Sequence, residues 1–300
     1  MSSEVPPSDE GFHNPKTIPD WKESYYFQFY DPEVKLCAFF YISAYPNVPK
    51  RDYLVAFLTE GETDLYLNSV PTPGKLDSLD DGKLRFELVE PNELWRIHFD
   101  DGKRFASLDF AGRFDPFAYD STQSYRKGVL EQEHYEQGCF VDGTIRLANG
   151  TEHKIECFGH RDHSWGLRDY AAIDEWNWIA AQFSWCTINI IKLHMGDKLE
   201  TAGFLSSLVG NQRLTDISIK IHFESDDVTP QGYTIHFTDE QKKKWQLDSM
   251  KLQTMIYPPR QSKPGRETNI YEIVSQFTLK GDPSFGYGIA EFLISRKTLT

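Results

Sequence analysis

The sequence predicts an all-β protein, and three observations carry that reading. Short runs rich in β-branched and aromatic residues recur roughly every 10 to 15 residues, several of them alternating with period two. Turn signals separate them. No long amphipathic helix and no βαβ alternation interrupts the pattern. In order, the first half offers Ser24–Tyr30, Val34–Ser43, Tyr53–Leu58, Leu65–Val70, Leu84–Val89, Leu94–Phe99 and Phe105–Phe110. Asp101-Gly102, between two alternating runs, is a two-residue hairpin signal. The second half opens with Cys139–Leu147, Asn149-Gly150 and His153–Phe158, another hairpin. Trp176–Phe183, Thr187–His194, Thr201–Leu208, Ile217–Phe223, Tyr233–Phe237, Ile270–Leu279 and Gly288–Ser295 follow. Ser164–Ala172 and, more weakly, Asp239–Lys244 are the only stretches that look helical. About 16 to 18 strands in one closed barrel would normally make a membrane pore. The strands are therefore expected to divide into two barrels or sandwiches of about eight. The expected division is a flexible arm over 1–20, one barrel over 21–150 and a second over 151–300.

Composition narrows the function classes. With 32 Lys plus Arg against 45 Asp plus Glu the net charge is −13, which disfavours a nucleic-acid or anionic-membrane partner. Seven Trp, 15 Tyr and 21 Phe exclude a disordered chain. The four cysteines are scattered and form no C-x-x-C pair, so a reduced, cytoplasmic protein is expected. Met1–Glu10 lacks the basic start and apolar run of a signal peptide, and no apolar run reaches membrane-spanning length.

One segment stands apart. His160–Tyr170 holds two His, two Arg, two Asp, a Trp and a Tyr, and four of the seven tryptophans (Trp165, Trp176, Trp178, Trp185) fall nearby. The charges could be ion pairs that lock an interface. Cys157, His160 and His163 have C-x2-H-x2-H spacing, but residues three apart on a strand face opposite ways and no fourth ligand is near, so no metal is expected. His160-Arg161-Asp162 matches a kinase catalytic triplet, yet Leu167 stands where that motif needs Asn. No G-x-S-x-G elbow accompanies Ser164. Acid–base chemistry on an apolar ligand remains: Asp162 and His163 moving protons, with Asp162 kept protonated by burial, and tryptophan faces holding developing positive charge.

Gly159-x-Arg161-Asp162-His163-Ser164-Trp165-Gly166, ending a strand halfway along the chain, resembles the signature of the carotenoid 1,2-hydratase and AttH-like superfamily, particularly its poorly characterised bacterial branch. His134-Tyr135-Glu136-Gln137 and Gly286–Phe292 resemble that branch too. The resemblance implies two tandem lipocalin-like (calycin) antiparallel β-barrels. It also implies kinship with polyene hydratases and with fungal proteins that catalyse cycloadditions in a pocket between the barrels. The hydratases' His-x-Trp pair corresponds to His163 and Trp165. Their Tyr-x-Asp pair has no counterpart, because Ile190 and Lys192 stand in that region.

The expected function is a cofactor-independent enzyme that hydrates, cyclises or isomerises a hydrophobic, isoprenoid or polyketide-like small molecule. The expected catalytic residues are Asp162, His163 and Trp165, and the expected pocket residues are Arg161, Arg168, Asp169, Trp176, Trp178, Gln182 and Glu291. The alternative is a lipocalin-type carrier without catalysis. A monomer or homodimer is expected.

Overall fold

The computed structural model describes residues 5–48, 50–71, 78–119, 132–167, 169–226, 228–257 and 265–297. Its contacts divide the chain into two units, Met1–Arg168 and Asp169–Thr300.

The first unit contains β1 (Trp21–Asp31), β2 (Leu36–Tyr45), β3 (Lys50–Thr59), β4 (Glu62–Val70), β5 (Leu79–Asp80), β6 (Leu84–Glu90), β7 (Leu94–Asp100), β8 (Phe105–Gly112), β9 (Phe117–Ala118), β10 (Gln132–Arg146) and β11 (Glu152–Leu167). They form one antiparallel sheet in the order β4-β3-β2-β1-β11-β10-β8-β7-β6-β5, with β9 beside β10. The second unit contains β12 (Glu175–Gln182), β13 (Cys186–Met195), β14 (Lys198–Ser207), β15 (Gly210–Arg213), β16 (Thr215–Phe223), β17 (Pro230–Thr238), β18 (Lys244–Tyr257), β19 (Arg266–Leu279) and β20 (Phe285–Lys297). Its sheet runs β15-β14-β13-β12-β20-β19-β18-β17-β16. Both sheets curl into half-barrels, as the all-β two-barrel expectation requires. No helix among the described residues is long and apolar enough to cross a membrane.

Local chemistry explains the strands. On β7 the apolar Trp95, Ile97 and Phe99 are buried while the residues between them are not, the period of a sheet with one face on a core. Phe27, Phe29, Phe40, Phe57 and Phe110 join them in the first core. Ile179, Ile188, Tyr233, Phe277 and Phe292 build the second. Both expected hairpins form. Gly102 and Gly150 take positive φ (85° and 87°) at the tight turns. The Asp100 and Asn149 side chains accept from the Gly102 and Thr151 amides at 2.9 Å.

Three expectations are corrected. Ser164–Leu167 is not helical: it continues β11, paired with Trp21–Ser24 of β1, because sheet pairing on both sides overrides a locally ambiguous pattern. Only Tyr170–Ala172 makes a single 3-10 turn, and Asp239–Lys243 is a turn closed by Asp239. The motif lies in the first unit, not the second, since its strand is hydrogen-bonded between β1 and β10 and the division falls at Arg168/Asp169 instead of 150/151. Within 1–20, the described segment from Val5 onward is anchored and not a free arm: Pro7–Glu10 forms a 3-10 turn, and Val5 and Glu10 are buried.

The motif's first glycine has a packing reason. A Cβ at Gly159 would lie 2.6 Å from both the Gln28 carbonyl oxygen and Val141 Cγ2. We expect Gly159→Ala to cost roughly 1–3 kcal/mol of stability, read as a lower denaturant midpoint with an unchanged slope.

Candidate functional site

β11 is central in its sheet and extended through the whole motif, with β1 on one side and β10 on the other. Successive side chains on a strand point to opposite faces. Arg161, His163 and Trp165 therefore share the face of the core residues Ile155 and Cys157, while His160, Asp162 and Ser164 share the other. The structure separates Asp162 from His163 and Trp165, the two residues expected to work with it. It also puts His160 on the face opposite Cys157 and His163.

On the core face the motif grips the N-terminal segment. The Arg161 guanidinium donates to both Glu10 oxygens (2.7 and 3.0 Å), to Gln137 Oε1 (2.8 Å) and to the Tyr135 hydroxyl (3.2 Å). Glu10 also accepts from the Tyr135 hydroxyl (2.6 Å), Trp95 Nε1 (3.0 Å) and the Asn92 amide (2.7 Å). Burial pushes the Glu10 carboxyl upward, but Arg161 and these donors outweigh it and hold the group below its ordinary range. His163 is also committed. Its Nε2 stands 3.2 Å from Glu23 Oε2, and its ring packs 3.9 Å from that of Tyr25. Burial pushes the His163 imidazole down, so it is neutral. Nε2 then carries the proton given to Glu23, and Nδ1 has no partner among the described residues. Trp165 lies flat on His13, with ring centroids 3.7 Å apart and planes within 5°. Arg161, His163 and Trp165 thus fasten Glu10 and His13 to the sheet.

The opposite face holds a different arrangement. Three register rows cross β1, β11 and β10: Ser24, Ser164 and His134; Tyr26, Asp162 and Glu136; Gln28, His160 and Gly138. The sequence pattern of β10 puts both His134 and Glu136 on this side. His160 Nε2 meets Glu136 Oε2 at 2.6 Å, His134 Nε2 lies 3.0 Å from Glu136 Oε1, and Asp162 Oδ2 lies 3.7 Å from His134 Nε2. His160 and Glu136 are fully buried, whereas His134 and Asp162 keep 14% and 18% of their side chains open. Asp162 therefore faces an imidazole and solvent, not the apolar enclosure expected of it. Burial disfavours the charged His134, but Glu136 and Asp162 outweigh it and raise the imidazole to about 9. Glu136 is correspondingly held well below the usual carboxylate range: burial alone would raise it, but His134 and then His160 hold it down. Tyr119 stacks on His134 at 5.1 Å. Gln28 is wholly buried, and neither of its amide atoms has a partner among the described residues. Tyr26, Phe39 and Tyr41 form an aromatic wall alongside.

The remaining expected residues lie in the second unit. Trp176, Trp178 and Gln182 alternate along β12 on the face away from Ile179 and Ala181. Glu291 of β20 sits beside Trp178 in register, opposite in direction to Ala290 and Phe292, so these four do share one face of their sheet. Gln182 accepts from the Thr187 hydroxyl at 2.7 Å. Asp169 caps the 3-10 turn, accepting from the Ala171 amide at 2.9 Å. Arg168 lies outside the described residues. Sequence reasoning missed Glu10, His13 and Glu23, which carry no motif. Glu136 stood in a patch noted only for its resemblance, although its alternation with His134 was a usable signal. Among the described residues, two sets present one ligand atom each within 4.8 Å of the others: His13, Glu23 and His163, and His134, Glu136 and Asp162.

Two outcomes follow from this geometry. Arg161→Ala leaves Glu10 a buried carboxylate without its cation, and should lower unfolding free energy by roughly 3–5 kcal/mol, measured by urea titration. His134, raised from an ordinary 6.5 to about 9, contributes stability that is complete below 6.5 and lost as pH rises through 9. Denaturant midpoints should fall across that window in the native protein, and His134→Gln should flatten the fall.

No curated protein matches the sequence significantly. Among solved structures, an AttH-like protein of Nitrosomonas europaea is similar over 97% of this chain and 97% of its own, with 14% identity and a TM-score of 0.68. CghA with Sch210972 gives 11% identity, 93% and 89% coverage and a TM-score of 0.66. Kievitone hydratase of Nectria haematococca gives 11%, 97% and 93%, and 0.61. Such identities establish a shared fold, the lipocalin-like double barrel that the resemblance implied. The carotenoid-hydratase side of that resemblance rests on the motif alone. A family model described as a domain of unknown function, DUF7064, matches residues 6–295, and the chain belongs to that family.

Proposed function

We propose that the chain is an enzyme of the hydratase or cyclase type, acting on a hydrophobic small molecule, with its acid–base groups on the face of β11 that carries Asp162. The observation that carries this reading is the graded burial of one connected set. His160 and Glu136 are sealed, while His134 and Asp162, at the end of the same set, stay partly open beside the unpaired amide of Gln28. Buried polar groups are ordinarily satisfied, so an orphaned amide next to a charged pair marks a place for a ligand's polar atom. The aromatic wall of Tyr26, Phe39 and Tyr41 suits the apolar remainder of such a ligand. The shared fold with a kievitone hydratase and with CghA, solved with Sch210972, agrees with this class.

In the proposed chemistry His134, kept as an imidazolium between two carboxylates, gives its proton or hydrogen bond to the group that gains negative charge. Asp162 takes the proton from the attacking water or from a substrate carbon. Glu136 and His160 hold His134 in place and balance its charge. Addition of water, ring closure or a double-bond shift all use this one give-and-take and need no redox cofactor. Arg161, His163 and Trp165 serve as positioning residues through β11.

The test incubates the protein with a panel of prenylated and polyene compounds, followed by mass spectrometry of the bound and released species. A product isomeric with its substrate, or one water heavier, is expected. Asp162→Asn and His134→Gln should each lower turnover by about 10²- to 10⁴-fold while binding persists. Binding with no product in the native protein would favour the carrier, and turnover unchanged in both variants would refute the site.

A further inference from the structure

Glu10, Glu23 and Glu136 are buried carboxylates beside the motif strand, and two of these three have a cation. Glu10 has the Arg161 guanidinium, and Glu136 has the His134 imidazolium. Glu23, with a fully buried side chain, has only two imidazoles among the described residues. A buried anion without a fixed counter-charge is costly unless something positive joins it.

The surroundings of Glu23 are built as a ligand set. Its Oε1 is held by the His13 amide (2.8 Å) and Trp21 Nε1 (3.2 Å), which leaves Oε2 as the ligand atom turned to the two imidazoles. Oε2 lies 3.3 Å from His13 Nδ1 and 3.2 Å from His163 Nε2, and the three atoms all lie within 4.8 Å of one another. An ion bonded to its ligands at about 2.0–2.1 Å in tetrahedral geometry keeps neighbouring ligand atoms about 3.3–3.4 Å apart. Ring orientation is fixed as metal sites require. His13 is clamped by the Trp165 face and turns its other nitrogen toward Asp9 Oδ1 at 3.8 Å, and His163 is wedged against Tyr25. The three ligands come from three places: His13 from the segment before β1, Glu23 from β1 and His163 from β11.

We infer that His13, Glu23 and His163 bind one divalent transition-metal ion, of the zinc or ferrous class that two imidazoles and one carboxylate accept, which fastens the N-terminal segment to β1 and β11. The site lies on the face of β11 opposite Asp162, so it stands or falls apart from the proposed catalytic reading.

The experiment uses the full chain stripped with a chelator and titrated with Co(II), then Zn(II), by visible absorption and calorimetry. One equivalent of Co(II) with a ligand-field band, displaced by Zn(II), and a higher melting temperature with metal are expected. His13→Ala and Glu23→Gln should each weaken binding by about tenfold or more, and His134→Gln should leave it unchanged. A stripped native protein that binds no stoichiometric Co(II) or Zn(II) would overturn the inference, with no variant needed. So would binding that survives Glu23→Gln, or binding lost in His134→Gln, which would move the ion to the other face.

Discussion

Everything around the motif depends on one constraint, the two-residue period of a strand paired on both edges. β11 is held by β1 through Leu167 and by β10 through Gly166, so it has no freedom to coil. Each neighbouring pair in Arg161-Asp162-His163 is therefore split between two environments. One side is the first core with the N-terminal segment laid against it. The other carries Glu136, His134 and Gln28. A one-residue slip would exchange the two sets, and the close approach at Gly159 is one of the features that prevents it.

The Glu10 network on the core face and the Asp162 set on the other differ in how completely their polar groups are satisfied. Around Glu10 every carboxylate lone pair meets a donor, and the Arg161 fork is used on Glu10, Gln137 and Tyr135. A fully satisfied buried network rigidifies and specifies one arrangement. The opposite face stops short of that state, with an unpaired Gln28 amide and two partly open charged groups. Incomplete satisfaction costs stability, and natural proteins keep it where a ligand completes the set. On the proposed reading, β11 carries an anchoring network on one side and the acid–base groups on the other.

Much of this was legible in the sequence. The all-β class followed from period-two runs such as Leu94–Phe99, and both hairpins followed from Asp101-Gly102 and Asn149-Gly150. The density of charge in His160–Tyr170 pointed to β11, which carries both side-chain clusters described above. Asp162 and His163 were expected to act together, but adjacent residues on a strand paired at both edges face opposite ways, so Asp162 stands apart from His163 and Trp165. Glu10, His13 and Glu23 were invisible for a different reason. A proline-bearing polar start looks unstructured until a distant buried Arg161 gives Glu10 a partner, and that 151-residue separation leaves no local trace.

The most direct measurement is a structure of the protein with a turned-over or tightly bound small molecule. The account predicts a polar atom of that molecule within hydrogen-bond distance of Asp162 or His134, with its apolar body along Tyr26, Phe39 and Tyr41. A molecule seated instead against His163 and Trp165, with the His13 ring displaced, would contradict it.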